Sequence, residues 1–328
     1  MNNRHVSIIM PAKNEAENLP CVLSAVREAI NNYGGNAEII LVDNGSDDST
    51  IEIAKKNGCR VLGDGTATIS RLRNMGVREA QGDIIAFLDA DCVVDRNWLT
   101  YCLEKFSDAR IGVVGTRAIP DLRNPSWVEE GWFRLISGAA RPDYPNWLGT
   151  SNLLVRKSVF SEAGGFDEKL ETAEDVDFCR RINNRYLICL EKRIDTVHLR
   201  ESKTIIDLYK REKWRGKCSL FQLVNSKEWK KEILSILAPG IFLLSLSMFI
   251  ILFFINIIIA VIFVILLALM PIAMIVRKKA LIDSKQSYIK IYLVALVYLF
   301  ARSIALFHEV FVSSLVKTYS LAVGKTIK

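Results

Sequence analysis

Residues 236–276 contain no Lys, Arg, Asp, Glu or His, and this stretch restricts the fold of the 328-residue chain more than any other feature. A single helix over the stretch would be about 60 Å long, whereas the hydrocarbon core of a bilayer is about 30 Å thick. We therefore predict two membrane spans that fold back on each other near Asn256. The basic residues 277–279 would then return to the side from which the chain entered.

A further apolar stretch, residues 289–316, is interrupted by Arg302, His308 and Glu309. An arginine near the centre of a bilayer costs about 2.5–3.5 kcal/mol on insertion scales. A third span and an interfacial helix are therefore both open interpretations of this stretch. Together, residues 233–328 are predicted to form a membrane domain.

The basic charge of the chain is concentrated just before the first predicted span. Residues 192–231 hold twelve Lys or Arg against five Asp or Glu, an excess of seven that equals the whole net charge of +7. Basic residues beside a span favour the cytoplasmic side and attract anionic lipid headgroups. Within this run, residues 204–224 alternate apolar and basic side chains, which predicts an amphipathic helix on the membrane surface. We assign residues 201–232 to this juxtamembrane segment; a solvated helical face is the alternative.

The remaining bulk features indicate where the protein works. Residues 1–10 lack the basic and apolar regions of a signal peptide, and the seven cysteines include no CxxC spacing. We therefore expect a multi-pass protein of the cytoplasmic membrane whose N-terminal domain lies in the cytoplasm. No recognised nucleic-acid-binding motif accompanies the basic run, so no nucleic-acid partner is expected.

The first 200 residues alternate strand-like and helix-like segments, which predicts an α/β fold with a parallel or mixed sheet flanked by helices. The strand predictions are residues 6–10, 38–42 and 83–88, and the helix predictions are residues 19–32, 49–57 and 71–80. Acidic residues cluster where these strands end. In open α/β sheets, ligands bind at the carboxyl ends of the strands.

Two carboxylates separated by one residue, Asp89 and Asp91, follow the third predicted strand. Hard oxygen ligands of this kind hold the divalent cation that offsets the charge of a diphosphate leaving group. If the segment is extended, its alternate side chains point in opposite directions, so that one carboxylate takes the metal and the other reaches a ribose. An ordinary exposed turn is the alternative, since Asp favours turns.

Acidic residues stand at two other candidate positions. Asp43 ends a strand and precedes a loop of Asn, Gly and Ser; it either contacts a ligand or, like Asp47, caps a helix. Residues 164–168 then lead into residues 172–177, where the first turn of a predicted helix is acidic. These acids either complement the helix dipole or supply a general base.

Taken together and in this order, these segments resemble the family-2 glycosyltransferases of the GT-A fold. The matching segments are residues 9–15 (IMPAKNE), 42–50 (VDNGSDDST), 73–76 (RNMG), 87–91 (FLDAD) and 164–168 (GGFDE), followed by 174–175 (ED). The resemblance covers roughly the first 200 residues. It implies a nucleotide-sugar-binding domain over residues 1–200 with a mixed, mainly parallel sheet.

The resemblance also implies roles for individual residues. Those assigned to the nucleotide sugar are Pro11, Ala12 and Glu15 in the nucleoside pocket, Asp43 on the base, Arg73 near the nucleotide, and Asp89 on the ribose or sugar. Asp91 would bind Mn²⁺ or Mg²⁺, and His198 resembles a histidine that completes the metal site in some relatives. As a single histidine it can equally be structural. Asp175 matches the general base, and Glu174 would position the acceptor or the sugar.

The reaction implied is an inverting, metal-dependent transfer from a nucleotide-diphosphate sugar. The preferred acceptor is a hydroxyl of a lipid-linked or cell-envelope glycan; the alternatives are a polyprenyl phosphate and a catalytically silent scaffold that binds nucleotide sugars. Processive synthases of the family place a tryptophan differently from residues 211–215 (REKWR), and they carry many spans. We therefore expect one sugar to be added per acceptor.

Overall fold

The computed structural model describes residues 4–63, 65, 67–121, 123–136, 142–218, 229–277 and 288–312. The chain forms two compact units. The first comprises Met1–Arg123 and Arg141–Glu201, and the second comprises Asn124–Ala140 and Ser202–Lys328. The boundary at Glu201 lies next to residue 200, the predicted end of the nucleotide-sugar-binding domain. Residues 124–140 are grouped with the C-terminal helices in the second unit, and the predicted domain bounds remain a prediction.

The first unit is built on a sheet of eight strands. These are β1 (Val6–Ala12), β2 (Ala37–Asp43), β3 (Arg60–Gly63), β4 (Ile84–Leu88), β5 (Cys92–Val93), β6 (Ile111–Pro120), β7 (Asn152–Arg156) and β8 (Leu187–His198), in the spatial order β3-β2-β1-β4-β7-β6-β8-β5. Strands β1 to β4 run parallel, as do β6 and β8, whereas β7 is antiparallel to both its neighbours and β5 to β8. The predicted mixed, mainly parallel sheet is confirmed.

The helices are α1 (Leu19–Tyr33), α2 (Thr50–Lys56), α3 (Ile69–Glu79), α4 (Trp98–Lys105), α5 (Trp127–Ile136), α6 (Lys157–Glu162), α7 (Glu174–Ile182), α8 (Ile205–Arg215), α9 (Trp229–Phe253), α10 (Ile257–Arg277) and α11 (Tyr288–Phe307). Helices α1 and α4 pack on one face of the sheet, and α3, α6 and α7 pack on the other. Helix α3 approaches β1 closely, because a Cβ at Gly76 would lie 2.5 Å from Ile9 Cγ2. Glycine at this position therefore lets α3 lie directly against β1 and β2.

The second unit contains α5 and α8 to α11. Side chains of α5, α8, α10 and α11 share one apolar core, including Trp132, Leu208, Ile275 and Ile291. Ile257–Arg277 and Tyr288–Val310 are long and apolar enough to cross a membrane, and Leu237–Phe253 is a shorter apolar helix. Helices α9 and α10 meet at Asn256, whose side chain caps α10 by accepting hydrogen bonds from the amides of Ile258 and Ile259. That these helices span a bilayer remains a prediction.

The arginine that interrupts the last apolar stretch has a buried partner. Arg302 of α11 donates to Glu212 of α8 at 3.0 Å, and Glu212 is fully buried. Arg215 donates to the same carboxylate at 2.8 Å. Of the segment predicted to form an amphipathic helix on the membrane surface, Ile205–Arg215 is helical, and residues 219–224 lie outside the described part of the chain. Its position on a membrane surface remains a prediction.

Candidate active site

The loops that follow β1 and β2 interlock through side-chain to backbone hydrogen bonds. Asn14, at a φ of 55°, donates its amide to Ser46 Oγ at 2.9 Å and accepts the Asp47 amide at 3.0 Å. The Glu15 amide donates to Thr50 Oγ1 at 2.8 Å. The sequence motifs at residues 9–15 and 42–50 therefore form one structural element, with the buried Pro11 and Ala12 at its base.

Asp43 is buried at the end of β2 and organises the loop that follows it. Its carboxylate accepts the amides of Gly45 and Ser46 at 2.9 and 3.0 Å and the Ser46 hydroxyl at 2.5 Å. Gly45 supplies the φ of +72° that this turn requires. Ser49, rather than Asp43 or Asp47, stands at the N-cap of α2. A contact between Asp43 and a base remains a prediction.

Asp89 and Asp91 lie in a turn, and their side chains converge. The turn is closed by the Cys92 amide, which donates to Asp89 O at 3.0 Å, and the Asp89 amide donates to Ser151 O at 3.1 Å. One ligand atom from each of Asp89, Asp91, Cys92 and His198 lies within 4.8 Å of the others. The expectation that the two carboxylates point in opposite directions was wrong, because it assumed an extended backbone.

The end of β8 holds His198 beside Asp91. His198 pairs with Cys92 between β8 and β5, and the Leu199 amide donates to Asp91 O at 2.9 Å. The Nε2 atom of His198 lies 3.6 Å from Asp91 Oδ1. Ligands held at about 2.1 Å from one Mg²⁺ ion can be at most about 4.2 Å apart, so this pair fits a single ion.

The chemistry of this donor set favours a hard cation. Burial and the neighbouring carboxylates Asp89 and Asp91 raise the pKa of the Cys92 thiol well above its usual value, so the thiol is protonated at neutral pH. Carboxylate oxygens and an imidazole nitrogen are then the available ligands. Oxygen-rich sets of this kind suit Mg²⁺ and Mn²⁺.

Arg73 connects this cluster to the start of α7. Its guanidinium is 3% exposed and donates to Asp89 Oδ1 and to Glu174 Oε1, each at 2.7 Å. The hydroxyl of Thr150 also donates to Glu174 Oε1, at 3.2 Å. Glu174 is therefore neutralised by a buried cation, and Arg73 joins the turn at Asp89 to the start of α7.

The carboxyl of Asp175 differs in its surroundings from that of Glu174. Burial and the adjacent Glu174 charge raise the pKa of Asp175 to about 7. Its Oδ1 accepts a hydrogen bond from the amide of the neighbouring Val176 at 2.7 Å. The backbone turns into this position through Ala173, which has a left-handed φ of 68°. The carboxyl of Asp175 is therefore a weaker acid than an ordinary aspartate, and a raised pKa of this kind suits a general base.

Asn74 joins the motif at residues 73–76 to the double glycine. Its side chain accepts the Phe166 amide at 3.0 Å and donates to Phe166 O at 2.9 Å. Gly164 and Gly165 both adopt positive φ, and a Cβ at Gly165 would lie 2.9 Å from Asn74 Oδ1. The double glycine therefore lets its loop close over α3.

Sequence reasoning missed two charged residues beside His198. Arg200 donates to Glu15 Oε1 at 2.6 Å, and Asn18 donates to Glu15 Oε2 at 2.9 Å. Glu201 Oε1 lies 3.6 Å from His198 Nδ1. Neither residue belongs to a periodic pattern or a recognised motif; proximity to His198 along the chain was the only available signal.

Comparison with known proteins supplies the family. Residues 7–162 match the family model for glycosyl transferase family 2. The chain carries a family-2 glycosyltransferase domain. The region that resembles glycosyltransferase AglE of Haloferax volcanii is 30% identical over 185 residues, which is 54% of this chain and 60% of that protein. A second relative, the undecaprenyl-phosphate 4-deoxy-4-formamido-L-arabinose transferase of Edwardsiella ictaluri, is 32% identical over 145 residues, or 40% of this chain and 42% of its own length.

The fold of the family-2 domain agrees with that of solved glycosyltransferases. Mannosyltransferase PcManGT of Pyrobaculum calidifontis, solved with GDP-Man and Mn²⁺, aligns with a TM-score of 0.63 at 14% identity, covering 93% of this chain and 87% of that one. The GT-A fold expected from the sequence is therefore confirmed. The sequence matches span less than two thirds of the two curated relatives.

Proposed function

We propose that this protein is an inverting, metal-dependent glycosyltransferase that moves a sugar from a nucleotide diphosphate to a lipid-linked or cell-envelope glycan at the cytoplasmic face of the membrane. The observation that carries the proposal is the position of Arg73 between Asp89 and Glu174. The Arg73 side chain holds the proposed metal-binding carboxylates and the Glu174-Asp175 pair in one site. A binding scaffold has no need of both sets.

Asp175 is the proposed general base. The acceptor hydroxyl loses its proton to the Asp175 carboxylate as its oxygen bonds to C1 of the sugar, and the bond between C1 and the diphosphate oxygen breaks on the opposite side. The electron pair of that bond leaves with the nucleoside diphosphate. Glu174 is unsuited to this step because Arg73 neutralises it. Its role is to position the acceptor or the sugar.

The remaining site residues bind and orient the donor. Pro11, Ala12, Glu15 and Asp43 surround the proposed nucleoside pocket, at the interlocked ends of β1 and β2. Asp89 would contact the ribose or the sugar. A divalent cation held by Asp91 and His198 would offset the charge that develops on the leaving diphosphate.

The relatives narrow the first substrates to test. The solved mannosyltransferase binds GDP-Man and Mn²⁺, which supports GDP-mannose as a donor and Mn²⁺ as the ion to examine first. The name of the Edwardsiella relative indicates transfer to undecaprenyl phosphate, which supports a lipid acceptor. Helices α10 and α11 of this chain support membrane attachment.

The acceptor group is proposed to be a hydroxyl, with a polyprenyl phosphate as the second candidate. A sugar hydroxyl is barely ionised at neutral pH and requires a base, whereas a phosphate oxygen is already anionic. The raised pKa of Asp175 supports the hydroxyl, because a base is most effective when its pKa lies near the working pH. The basic residues of α8 would instead serve a phosphate acceptor.

A donor and acceptor screen tests the proposal. The full chain in detergent is incubated with Mn²⁺, a panel of UDP- and GDP-sugars, and either a polyprenyl phosphate or a polyprenyl-diphosphate saccharide, while nucleotide release and lipid product are measured. We expect one donor to be consumed only when an acceptor is present. A chain that binds nucleotide sugars but transfers none would instead be the silent scaffold.

The variant Asp175→Asn separates the two acceptor groups. For a hydroxyl acceptor it should lower kcat by about 10²–10⁴-fold with little change in donor affinity, since the amide keeps the shape and loses the basicity. Asp108→Asn, at a partly exposed position in the turn before β6, is the control and should keep the wild-type rate. A nearly unchanged Asp175→Asn enzyme would favour a phosphate acceptor.

A further inference from the structure

Two carboxylates face the two ring nitrogens of His198 from opposite sides. Asp91 Oδ1 lies 3.6 Å from Nε2, and Glu201 Oε1 lies 3.6 Å from Nδ1. The side chains of the three residues are each about 85% buried. Metal-binding histidines commonly have this arrangement: one ring nitrogen faces the metal ligands, here Asp91, and the other faces a carboxylate, here Glu201.

The Nδ1 atom of His198 lacks a hydrogen-bond partner among the described residues, although it is buried. A distance of 3.6 Å is too long for a hydrogen bond, so the Glu201 contact is not closed in this structure. A neutral imidazole carries one N–H. If Nε2 binds a cation with its lone pair, that proton must be on Nδ1, where a buried donor requires an acceptor.

From this geometry we infer that Glu201 is a positioning residue for the metal site: its carboxylate accepts the Nδ1–H of His198, which leaves Nε2 available to a divalent cation. The inference rests on the proposed metal site and adds a residue to it. A displacement of Glu201 Oε1 by less than about 1 Å would bring it within hydrogen-bond distance of His198 Nδ1. Glu201 itself does not touch the reacting atoms.

The two residues that precede Glu201 are held by contacts with other loops. The Leu199 amide donates to Asp91 O at 2.9 Å, and Arg200 is paired with Glu15 at 2.6 Å. These contacts attach the segment after β8 to the turn after β4 and to the loop after β1. The backbone that leads into Glu201 is therefore held in place, which keeps the Glu201 carboxylate close to the His198 ring.

The first measurement is the affinity of the metal-free full chain for Mn²⁺, by electron paramagnetic resonance of the free ion. We expect Glu201→Ala to weaken binding about 10–100-fold, as is typical when the partner of a ligating histidine is removed. Glu201→Gln should stay near the wild-type affinity, because its side-chain carbonyl can still accept from Nδ1–H. Lys203→Ala, an exposed charge in the same segment, is the control and should change nothing.

The second measurement is the tautomer of His198, from ¹⁵N chemical shifts of the metal-free and Mg²⁺-loaded chain. The protein has only three histidines, so substitution of His5 and His308 assigns the signals. We expect the Nδ1–H tautomer in the wild type and in Glu201→Gln, and a mixture of tautomers in Glu201→Ala. This readout does not depend on activity.

The variants distinguish the outcomes. Unchanged Mn²⁺ affinity and tautomer in Glu201→Ala would overturn the inference, provided His198→Ala weakens binding. Equal losses in Glu201→Gln and Glu201→Ala would also overturn it, since they would make Glu201 a direct ligand. Unchanged affinity in His198→Ala would refute the proposed role of His198 in the metal site itself.

Discussion

Arg73 donates a 2.7 Å hydrogen bond to Glu174, although the two residues are 101 positions apart in the sequence. The guanidinium is almost fully buried and also binds Asp89. One buried cation therefore compensates two carboxylates that belong to different motifs. The adjacent carboxylate of Asp175 is also near Arg73, but burial and the Glu174 charge outweigh the effect of that cation and raise the pKa of Asp175.

We expect Arg73→Met to destabilise the first unit by about 3–5 kcal/mol, because it leaves the buried carboxylate of Glu174 and the partly buried one of Asp89 without their cation. Chemical denaturation of the full chain, followed by tryptophan fluorescence, measures this. Arg78→Met on the same helix is the matched control: its pair with Glu168 is exposed and 3.7 Å long, so it should cost at most about 1 kcal/mol. Equal effects of the two variants would contradict the buried bridge.

The activity of the enzyme should depend on Asp175 near neutral pH. Since the base must be unprotonated, kcat/KM should rise with pH through about 7 and then level off, rather than level off near pH 4. In Asp175→Asn the remaining activity should no longer show this rise in kcat/KM with pH. A wild-type profile that is flat from pH 5 to 8 would contradict the assignment.

Asp175 should also make the free energy of unfolding depend on pH: the activity should rise with pH, whereas the stability should fall. The folded pKa of Asp175 is raised above the unfolded value of about 3.9, so between about pH 4 and 7 the folded state binds more protons than the unfolded state. The contribution of Asp175 to the free energy of unfolding therefore falls as pH rises through that window. Asp175→Asn should be more stable than the wild type at pH 8, and the difference should shrink towards pH 4.

Turnover should require a divalent cation. EDTA should abolish sugar transfer, Mn²⁺ or Mg²⁺ should restore it, and Asp91→Ala should be inactive while its thermal unfolding stays cooperative. Asp91 stands in the converging cluster, so its loss removes a hard oxygen ligand. Full activity of Asp91→Ala in the presence of EDTA would exclude the metal role.

The double glycine offers a comparison of two neighbouring substitutions. Gly164→Ala should cost about 1–2 kcal/mol, because it only forces alanine into a positive φ with open space around it. Gly165→Ala should cost clearly more, since its Cβ would also press against Asn74 Oδ1 at 2.9 Å. Urea denaturation compares them; a smaller cost at Gly165 would show that the Asn74 contact is unimportant.

The contributions of Arg302 and Glu212 to the stability of the second unit should be coupled, because the two side chains form an ion pair. Arg302→Met should lower the Tm of the detergent-solubilised chain, because Glu212 stays buried without that cation. Glu212→Leu combined with Arg302→Met should recover most of the loss, with a coupling free energy of about 0.5–3 kcal/mol. Additive effects of the two single changes would show that the pair does not hold α8 on α11.

The sequence alone was sufficient for the fold class and the order of the functional motifs. Hydrophobic alternation and turn residues identified β1, β2 and β4 to within two residues, because buried strands and their caps depend on local chemistry. The carboxylates at the strand ends followed from the same patterns. The uncharged run at residues 236–276 likewise located the helix break at Asn256.

Only the tertiary structure decided which of these groups meet. Arg73 was expected near the nucleotide, and no periodic pattern could indicate that it binds both Asp89 and Glu174 from the interior. The turn at Asp89 and the place of Glu201 beside His198 depend on contacts between β5, β8 and distant loops. Local patterns report the burial and backbone preference of each segment, whereas the distance between two side chains is fixed by packing across the whole sheet.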